Sequence, residues 1–313
     1  MLNIAAIISE YKAYYLNNGQ NMARLKTLLR FGMVTDGICT PIMTDETIYQ
    51  MAIAKMKSLV QSFQKAWTPK GELEFVPNKI ELFKMKVDLD VYPDDIEATW
   101  LGFLTKNSLS RKEWPLIRYI MESYILGQIQ ADMENNEIYK GVYAAPGIGV
   151  AGLDGKSMNG FKYMLQKTAV NRDITIGALD KAIIYDQFEA GFELVTEEYQ
   201  NSNMVICCAP KWRRAFLKDK RAQDVYTISG PGQIDDTLDF APARVVGLPS
   251  MIGTNDWFIT PADNMLSIAK KSENMNKIDV QESKRCVSFL TDWWKGVGFG
   301  ISEIVWTNVA AAE

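Results

Sequence analysis

Residues 204–217 read Met204-Val205-Ile206-Cys207-Cys208-Ala209-Pro210-Lys211-Trp212-Arg213-Arg214-Ala215-Phe216-Leu217. The apolar run before the proline reads as a strand. Pro210 then opens a helix, because its fixed φ suits a first turn and its missing N–H is not needed there. Upstream, a helical segment is predicted over 178–190. Downstream, a polar loop holds Gly230-Pro231-Gly232 and Asp235-Asp236, and short strands are predicted at 245–248, 257–260, 286–291 and 301–306. Strands and helices interleave without internal repeats, so the fold class is α+β.

Towards the N-terminus the periods change. The first ~35 residues look like an arm with short helices, broken at Asn17-Asn18-Gly19 and near Gly32 and Gly37. Thr44-Asp45-Glu46 places capping and acidic groups at a helix start, and Ile48, Met51, Ala52, Met56, Leu59, Val60 and Phe63 follow at helical spacing. Over 72–91 the pattern alternates: Phe83, Met85, Val87, Leu89 and Val91 share one face, and Lys84, Lys86, Asp88 and Asp90 the other. Pro77-Asn78 marks a bend, so a long protruding hairpin is expected here. Ser110 to Glu113 has capping-box spacing, and Ile117, Ile120, Met121, Tyr124, Ile125 and Ile129 make an apolar stripe running to about Glu137. Such a helix would be roughly 40 Å long, a strut between two lobes. The glycine-rich stretch 141–155 is the expected boundary and hinge.

Composition narrows the function. The 313 residues carry a net charge of −4 without long blocks of one sign, against the basic excess that phosphate neutralisation asks of a dedicated nucleic-acid binder. The sequence has no histidine, which removes Ser-His-Asp and Cys-His catalysis and His-containing zinc sites. Cys39, Cys207, Cys208 and Cys286 form no C-x-x-C pair and read as small buried hydrophobes of a reducing compartment. No apolar run approaches the ~18 residues of a membrane span, and no secretory signal is visible, so synthesis and folding in a cytoplasm are expected.

Three motifs invite chemistry. Gly147-Ile148-Gly149-Val150-Ala151-Gly152 matches G-x-G-x-x-G, with Asp173 near where a ribose acid would lie, but the stretch lacks the flanking strand and helix of a dinucleotide site. Asp88, Asp90, Asp94 and Asp95, and likewise Asp235, Asp236 and Asp239, suggest a hard cation; neither set has the glycine and distal glutamate of an EF-hand, and solvated charge accounts for both. Lys211, Arg213, Arg214, Lys218, Lys220 and Arg221 form a basic cluster suited to a phosphate, or more simply to a solvated or subunit-facing surface. No catalytic or metal residues are assigned, and no cofactor.

The order of these elements resembles the major capsid proteins of tailed bacteriophages, the Hong Kong 97 type of fold, especially those of phages and prophages of gut bacteria. The residues carrying the likeness are the helix before Val205-Ile206-Cys207-Cys208-Ala209-Pro210, the helix Lys211-Trp212-Arg213-Arg214-Ala215-Phe216-Leu217, then Val245-Val246-Gly247-Leu248-Pro249-Ser250-Met251, Asp256-Trp257-Phe258-Ile259-Thr260-Pro261 and the tail Thr291-Asp292-Trp293-Trp294-Lys295-Gly296-Val297-Gly298-Phe299-Gly300. It covers nearly the whole chain, through loose motifs.

The resemblance implies an N-terminal arm (1–41), a peripheral domain (42–144) with an extended loop (about 67–93) and a spine helix (110–137), an axial domain (145–249), and a return to the peripheral domain with C-terminal strands (250–313). It implies a non-enzymatic subunit of an icosahedral head, assembled in a bacterial cytoplasm. The partners would be itself, as pentamers and hexamers, with scaffolding and portal proteins, around double-stranded DNA bound without sequence preference and with no membrane. Candidate contact and hinge residues are Glu72, Phe75, Lys79, Phe83, Lys84, Lys86, Gly147, Gly149, Trp212, Arg213, Trp293 and Trp294. An encapsulin-like nanocompartment shell shares the fold and stays open as an alternative, as does a dinucleotide enzyme using the 147–152 loop.

Overall fold

The computed structural model describes residues 33–311 except 57, 108, 112–113, 168–169, 173, 175–176, 224–227, 231–232, 240, 272–277 and 284–285, together with residues 7, 9 and 10. Most of the expected arm, with Asp173 and the Pro231-Gly232 pair, lies outside the described residues.

A short helix α1 (Val34–Ile38) leads into β1 (Thr40–Thr44), followed by β2 (Ile48–Met56), β3 (Leu73–Glu81) and β4 (Phe83–Val91). Two helices follow. The first is α2 (Pro93–Asn107), and the second, α3, begins at Leu116–Ile120 and continues through Met121–Ile125, Leu126–Asp132 and Met133–Glu137. After α4 (Phe161–Lys167) and α5 (Ile184–Glu193) comes the motif around Pro210, strand β5 (Met204–Cys208) and helix α6 (Pro210–Ala222). Strands β6 (Ile228–Gly230), β7 (Gln233–Ile234), β8 (Ala243–Gly247), β9 (Trp257–Pro261), β10 (Met265–Lys270), β11 (Ile278–Ser283), β12 (Cys286–Phe299) and β13 (Trp306–Thr307) complete the chain.

Two sheets organise two lobes. In one, ordered β13-β9-β5-β8, β5 lies centrally, parallel to β8 and antiparallel to β9. Every residue of β5 is buried, which is why it reads as an unbroken apolar run. Helix α6 turns Trp212, Ala215 and Phe216 onto this sheet, and Phe188 of α5 packs against both Phe216 and Trp257. The other sheet is built around β12, which pairs antiparallel with β10, β11 and β4, while β1 joins β10 in parallel. Strand β4 buries Met85 and exposes Lys84, Lys86, Asp88 and Asp90, the expected wet face.

Helix α3 ties the lobes together. Its first half packs Leu116, Ile117, Ile120, Met121 and Ile125 with Trp100 and Leu104 of α2 and Phe289 of β12. Its last turn and the residues after it, Met133, Ile138 and Tyr139, belong to the larger core around β5 and β9. At about 33 Å it is shorter than expected, because it starts at Leu116 behind Pro115. The expected capping box at 110 does not open a helix; the Ser110 carbonyl accepts the Trp114 N–H at 3.0 Å in a separate turn, and residues 112 and 113 lie outside the described ones. Two turns of α3, Met121–Ile125 and Met133–Glu137, are π-helical, as i to i+5 bonds such as Ile138 N–H to Met133 O (2.9 Å) require.

Several expectations need correcting. Residues 48–56 form strand β2, not a helix: it pairs with β3 from Ile48↔Glu81 to Met56↔Leu73. Tyr49 and Met51 alternate inward onto Ile80, Leu82, Leu266 and Ile268, while Ile48 and Gln50 face out. Apolar residues at 48, 51, 52 and 56 fit a helical wheel, but 49, 51 and 53 fit a strand equally, and the β3 partner decides. The projecting hairpin therefore spans 48–81, not 67–93. Pro77 sits within β3 opposite Ala52 and makes no bend there; a two-stranded ribbon leaves outward positions where a missing N–H costs nothing. The helix expected at 178–190 forms at Ile184–Glu193. Residues Ser302–Ile304 form a 3₁₀ turn, and of the expected 301–306 strand only Trp306 is extended into the sheet, in the two-residue strand Trp306–Thr307. Strand β12 runs eight residues past the expected end at 291, with Trp293 and Trp294 inside it.

Candidate subunit interface

The β2–β3 ribbon carries nine residues in each strand, roughly 30 Å of length. Its root is anchored: Ile80, Leu82, Leu266 and Ile268 pack beneath it, and the Asn78 side-chain amide donates to the carbonyls of Phe299 (2.6 Å) and Gly300 (2.7 Å). Its far end is not covered. Residues 58–72 are exposed, with Phe63 at 92% and Trp67 at 91% relative exposure, and Phe75 is exposed on the ribbon itself. Gln61 closes the tip by donating to the Thr68 carbonyl at 2.8 Å; Gln64 to the Thr68 hydroxyl and Lys70 to the Val60 carbonyl add further ties. An isolated two-stranded ribbon is marginal in water, and solvent-facing aromatic rings at its end gain nothing unless another surface covers them.

A second apolar projection leaves the end of α3. Residues 142–154 are exposed, Ile148, Val150 and Leu153 strongly so. The ends of this excursion meet: Gly160 N–H donates to Gly141 O (2.9 Å), Val142 N–H to Gly155 O (2.9 Å) and Ala144 N–H to Lys156 O (3.0 Å). The buried Glu137 carboxylate holds the root, accepting the N–H of Gly155 at 2.9 Å and of Ser157 at 3.1 Å. A Cβ on Gly160 would lie 2.6–2.8 Å from the carbonyl oxygens of Glu137, Ile138 and Tyr139, so the returning chain passes the helix end only as glycine. Gly147 and Gly149 thus sit at the tip of a closed excursion, with Gly149 at φ +75°, and not in a hinge between lobes. Chain that leaves and returns to one tied point cannot serve as the single link between two bodies. Nor does the stretch follow a strand or open a helix, so it lacks the geometry that presents backbone N–H groups to a pyrophosphate.

The remaining predicted residues divide. Glu72, Phe75 and Lys79 lie on the ribbon, exposed. Lys84 and Lys86 line the wet face of β4, paired with Asp292 at 2.7 Å and Asp88 at 2.5 Å. Phe83 is half-buried against Tyr143, ring centroids 4.5 Å apart, and links β4 to the root of the excursion. Trp293 packs on the main core, and Trp294 lies under the Lys270 ammonium, 4.0 Å from its ring centre. Trp212 and Arg213 are corrections: Trp212 is a buried core residue, and Arg213 donates to Asp236 (3.0 Å) and the Val245 carbonyl (3.3 Å) within the subunit. The acid set at 235–239 is likewise internal. Asp236 also pairs with Arg244, and Asp239 with the fully buried Lys220. Among the described residues, no group of three or more Cys, Asp or Glu side chains is arranged for a metal, and no helix is long and apolar enough to cross a membrane.

Sequence reasoning missed the carboxylates that fix these projections. Both Glu134 and Glu137 fall in the second π-helical turn of α3 and are buried. Glu134 accepts the Thr35 backbone N–H (3.2 Å) and hydroxyl, and one residue on, Asp36 accepts Lys295 Nζ at 2.5 Å and Ser267 Oγ at 2.5 Å. Residues 35–36 are thereby clamped between α3 and β12, where the chain emerges from its N-terminal segment.

No protein-family model matches the chain, and neither does any curated protein. Solved structures do. The chain superposes on one from the satellite phage P4 procapsid, a particle solved with its size determination (Sid) protein, with a TM-score of 0.58 at 12% identity, covering 93% of this chain and 91% of that one. A chain from the capsid of an empty GTA particle matches with a TM-score of 0.55 at 12% identity over 90% of each. The fold is therefore that of the Hong Kong 97 type of capsid subunit, as the order of elements implied. It is shared at 12% sequence identity in both cases.

Proposed function

We propose that this chain is the structural subunit of a tailed-phage or prophage head, assembling with copies of itself into a closed icosahedral shell around double-stranded DNA. The observation that carries this reading is the likeness over nine-tenths of the chain to procapsid and capsid subunits, joined to a projecting ribbon whose exposed aromatic rings await a neighbour. The role is structural, not catalytic. In this reading the ribbon and the 142–154 excursion lie on adjacent subunits in pentamers and hexamers, scaffolding and portal proteins guide closure, and the DNA is enclosed without base contacts. Contacts of standard size bury on the order of 1,600 Å². Heterologous contacts close a ring, and ring closure makes the last contacts effectively intramolecular. The test is to replace 57–72 with a two-residue Asn-Gly turn that joins the paired Met56 and Leu73. Loss of closed particles with an unchanged melting temperature supports the reading, and normal particles from that variant refute it.

A further inference from the structure

Helices α5 and α6 pack side by side and carry opposite charge outward. On α6 the core-facing side holds Trp212, Ala215, Phe216, Asp219 and Lys220, and the other side carries Lys211, Arg214, Lys218 and Arg221 at spacings that keep them in one row. On α5, Ile184, Tyr185, Phe188 and Phe192 face the core, and Asp186, Glu189 and Glu193 make an outward row, continued by Glu197 and Glu198. The helices are fixed to each other: Tyr185 stacks on Phe216 (5.6 Å), the Tyr185 N–H donates to Asp219 at 2.9 Å, and Gln223 donates to Asp186 at 3.1 Å. The one acid within α6, Asp219, is turned inward to that contact. Among the described residues no ion pair joins the two outward rows, and Arg214, Lys218 and Arg221 pair with no described acid.

We infer that these rows are the two halves of a contact between copies of this chain, with the α6 cation row of one subunit seated on the α5 acid row of the next. This rests on the shell reading and names the surface through which neighbouring subunits meet. Two features favour a second copy over a polyanion. A nucleic acid lying along α6 would run beside Asp186, Glu189 and Glu193, whose repulsion offsets what the cations gain. In a ring, each copy's α6 row meets the α5 row of one neighbour and its α5 row meets the α6 row of the other, so both rows are satisfied, and this head-to-tail sense is the heterologous kind that closes rings. Fixed opposite rows also disfavour wrong registers, in which like charges would face each other.

The test uses the full chain and three variants: Arg214→Glu with Lys218→Glu, Glu189→Lys with Glu193→Lys, and all four together. Every altered side chain is exposed, so matching melting curves check the fold. Association is read by sedimentation velocity at about 20 mM and about 500 mM salt, where screening lengths differ several-fold. The expected result is wild-type association that weakens with salt, a loss of roughly 10- to 100-fold in each double variant, and recovery in the quadruple variant, in which two facing charges of each row are exchanged. Two double variants that associate like wild type overturn the inference, as does a wild type that never associates. Loss in the α6 variant alone, with no recovery in the quadruple, overturns it in favour of a polyanion on α6. Electron microscopy of the same samples separates the two readings. Closed shells from all variants sink this contact and leave the shell reading standing, whereas salt-sensitive clusters that never close even with the scaffolding protein supplied sink the shell reading and leave the contact.

Discussion

Replacing Glu137 by alanine should release the root of the 142–154 excursion while leaving the rest of the subunit folded. Its carboxylate is buried and accepts two backbone N–H bonds, from Gly155 (2.9 Å) and Ser157 (3.1 Å). A hydrogen bond to a charged group contributes about 1.5–3 kcal/mol. The freed N–H groups lie beside exposed chain and regain water on opening, so the lower value applies to each, about 3 kcal/mol together. At about 1.4 kcal/mol per factor of ten, local opening should become roughly 100-fold more frequent. Glu137→Gln keeps one acceptor oxygen and should show roughly a tenfold effect. Hydrogen exchange read by mass spectrometry over 142–160 is the assay, with peptides from β5 and β9 as internal controls. Amides of Gly155 and Ser157 exchanging within about twofold of wild type in the alanine variant would refute the reasoning, and so would equal loss of protection in β5, which would mean a global effect.

Other consequences follow from single sites. Gly160→Ala puts a methyl group against three backbone carbonyls and should destabilise the subunit by about 2 kcal/mol or more, measured by urea unfolding; a smaller cost would mean that the crossing relaxes easily. Asp239→Asn removes the ion-pair partner of the fully buried Lys220, whose Nζ also donates to the Thr237 carbonyl at 2.6 Å. Because Asp239 is partly exposed, a loss of about 2 kcal/mol is expected, a fall of roughly 4–8 °C in melting temperature, and Lys220→Met should cost less. All four cysteines are buried, and burial pushes the Cys39 and Cys207 thiols well up and Cys208 to about 12. Maleimide should therefore label Cys39, Cys207 and Cys208 in the native chain about a thousandfold more slowly than a free thiol, and rapid labelling of Cys207 would contradict the packing of β5.

Where a segment's burial follows from its own pattern, the sequence was enough. The buried run 204–208, the proline that opens α6, the alternation of β4 and the apolar stripe of α3 all carry their environment in their spacing. What failed was decided by partners far along the chain. Residues 48–56 are a strand because 73–81 lies beside them, and Trp212 looked like a contact residue until the sheet beneath it was in view. Arg213 and the acids at 235–239 read as surface charge, yet Asp236 pairs with Arg213, 23 residues away, and Asp239 with the buried Lys220. Glu134 and Glu137 gave no signal, since a π-helical turn aims them at Thr35 and at the excursion root. Of the proposed interface, Glu72, Phe75 and Lys79 could be named from the sequence, and they lie exposed on the ribbon. Ile148, Val150 and Leu153 were hidden behind the glycines, which drew attention to the backbone and away from the apolar side chains between them.

The most direct measurement of the central claim is to express the full chain, fractionate it by size and image each fraction by electron microscopy. The shell account predicts rings or closed, curved particles whose reconstruction shows the 48–81 ribbon lying on a neighbouring subunit. Particles built with the ribbon free in solvent, or a chain that stays monomeric even with its scaffolding protein supplied, would contradict it.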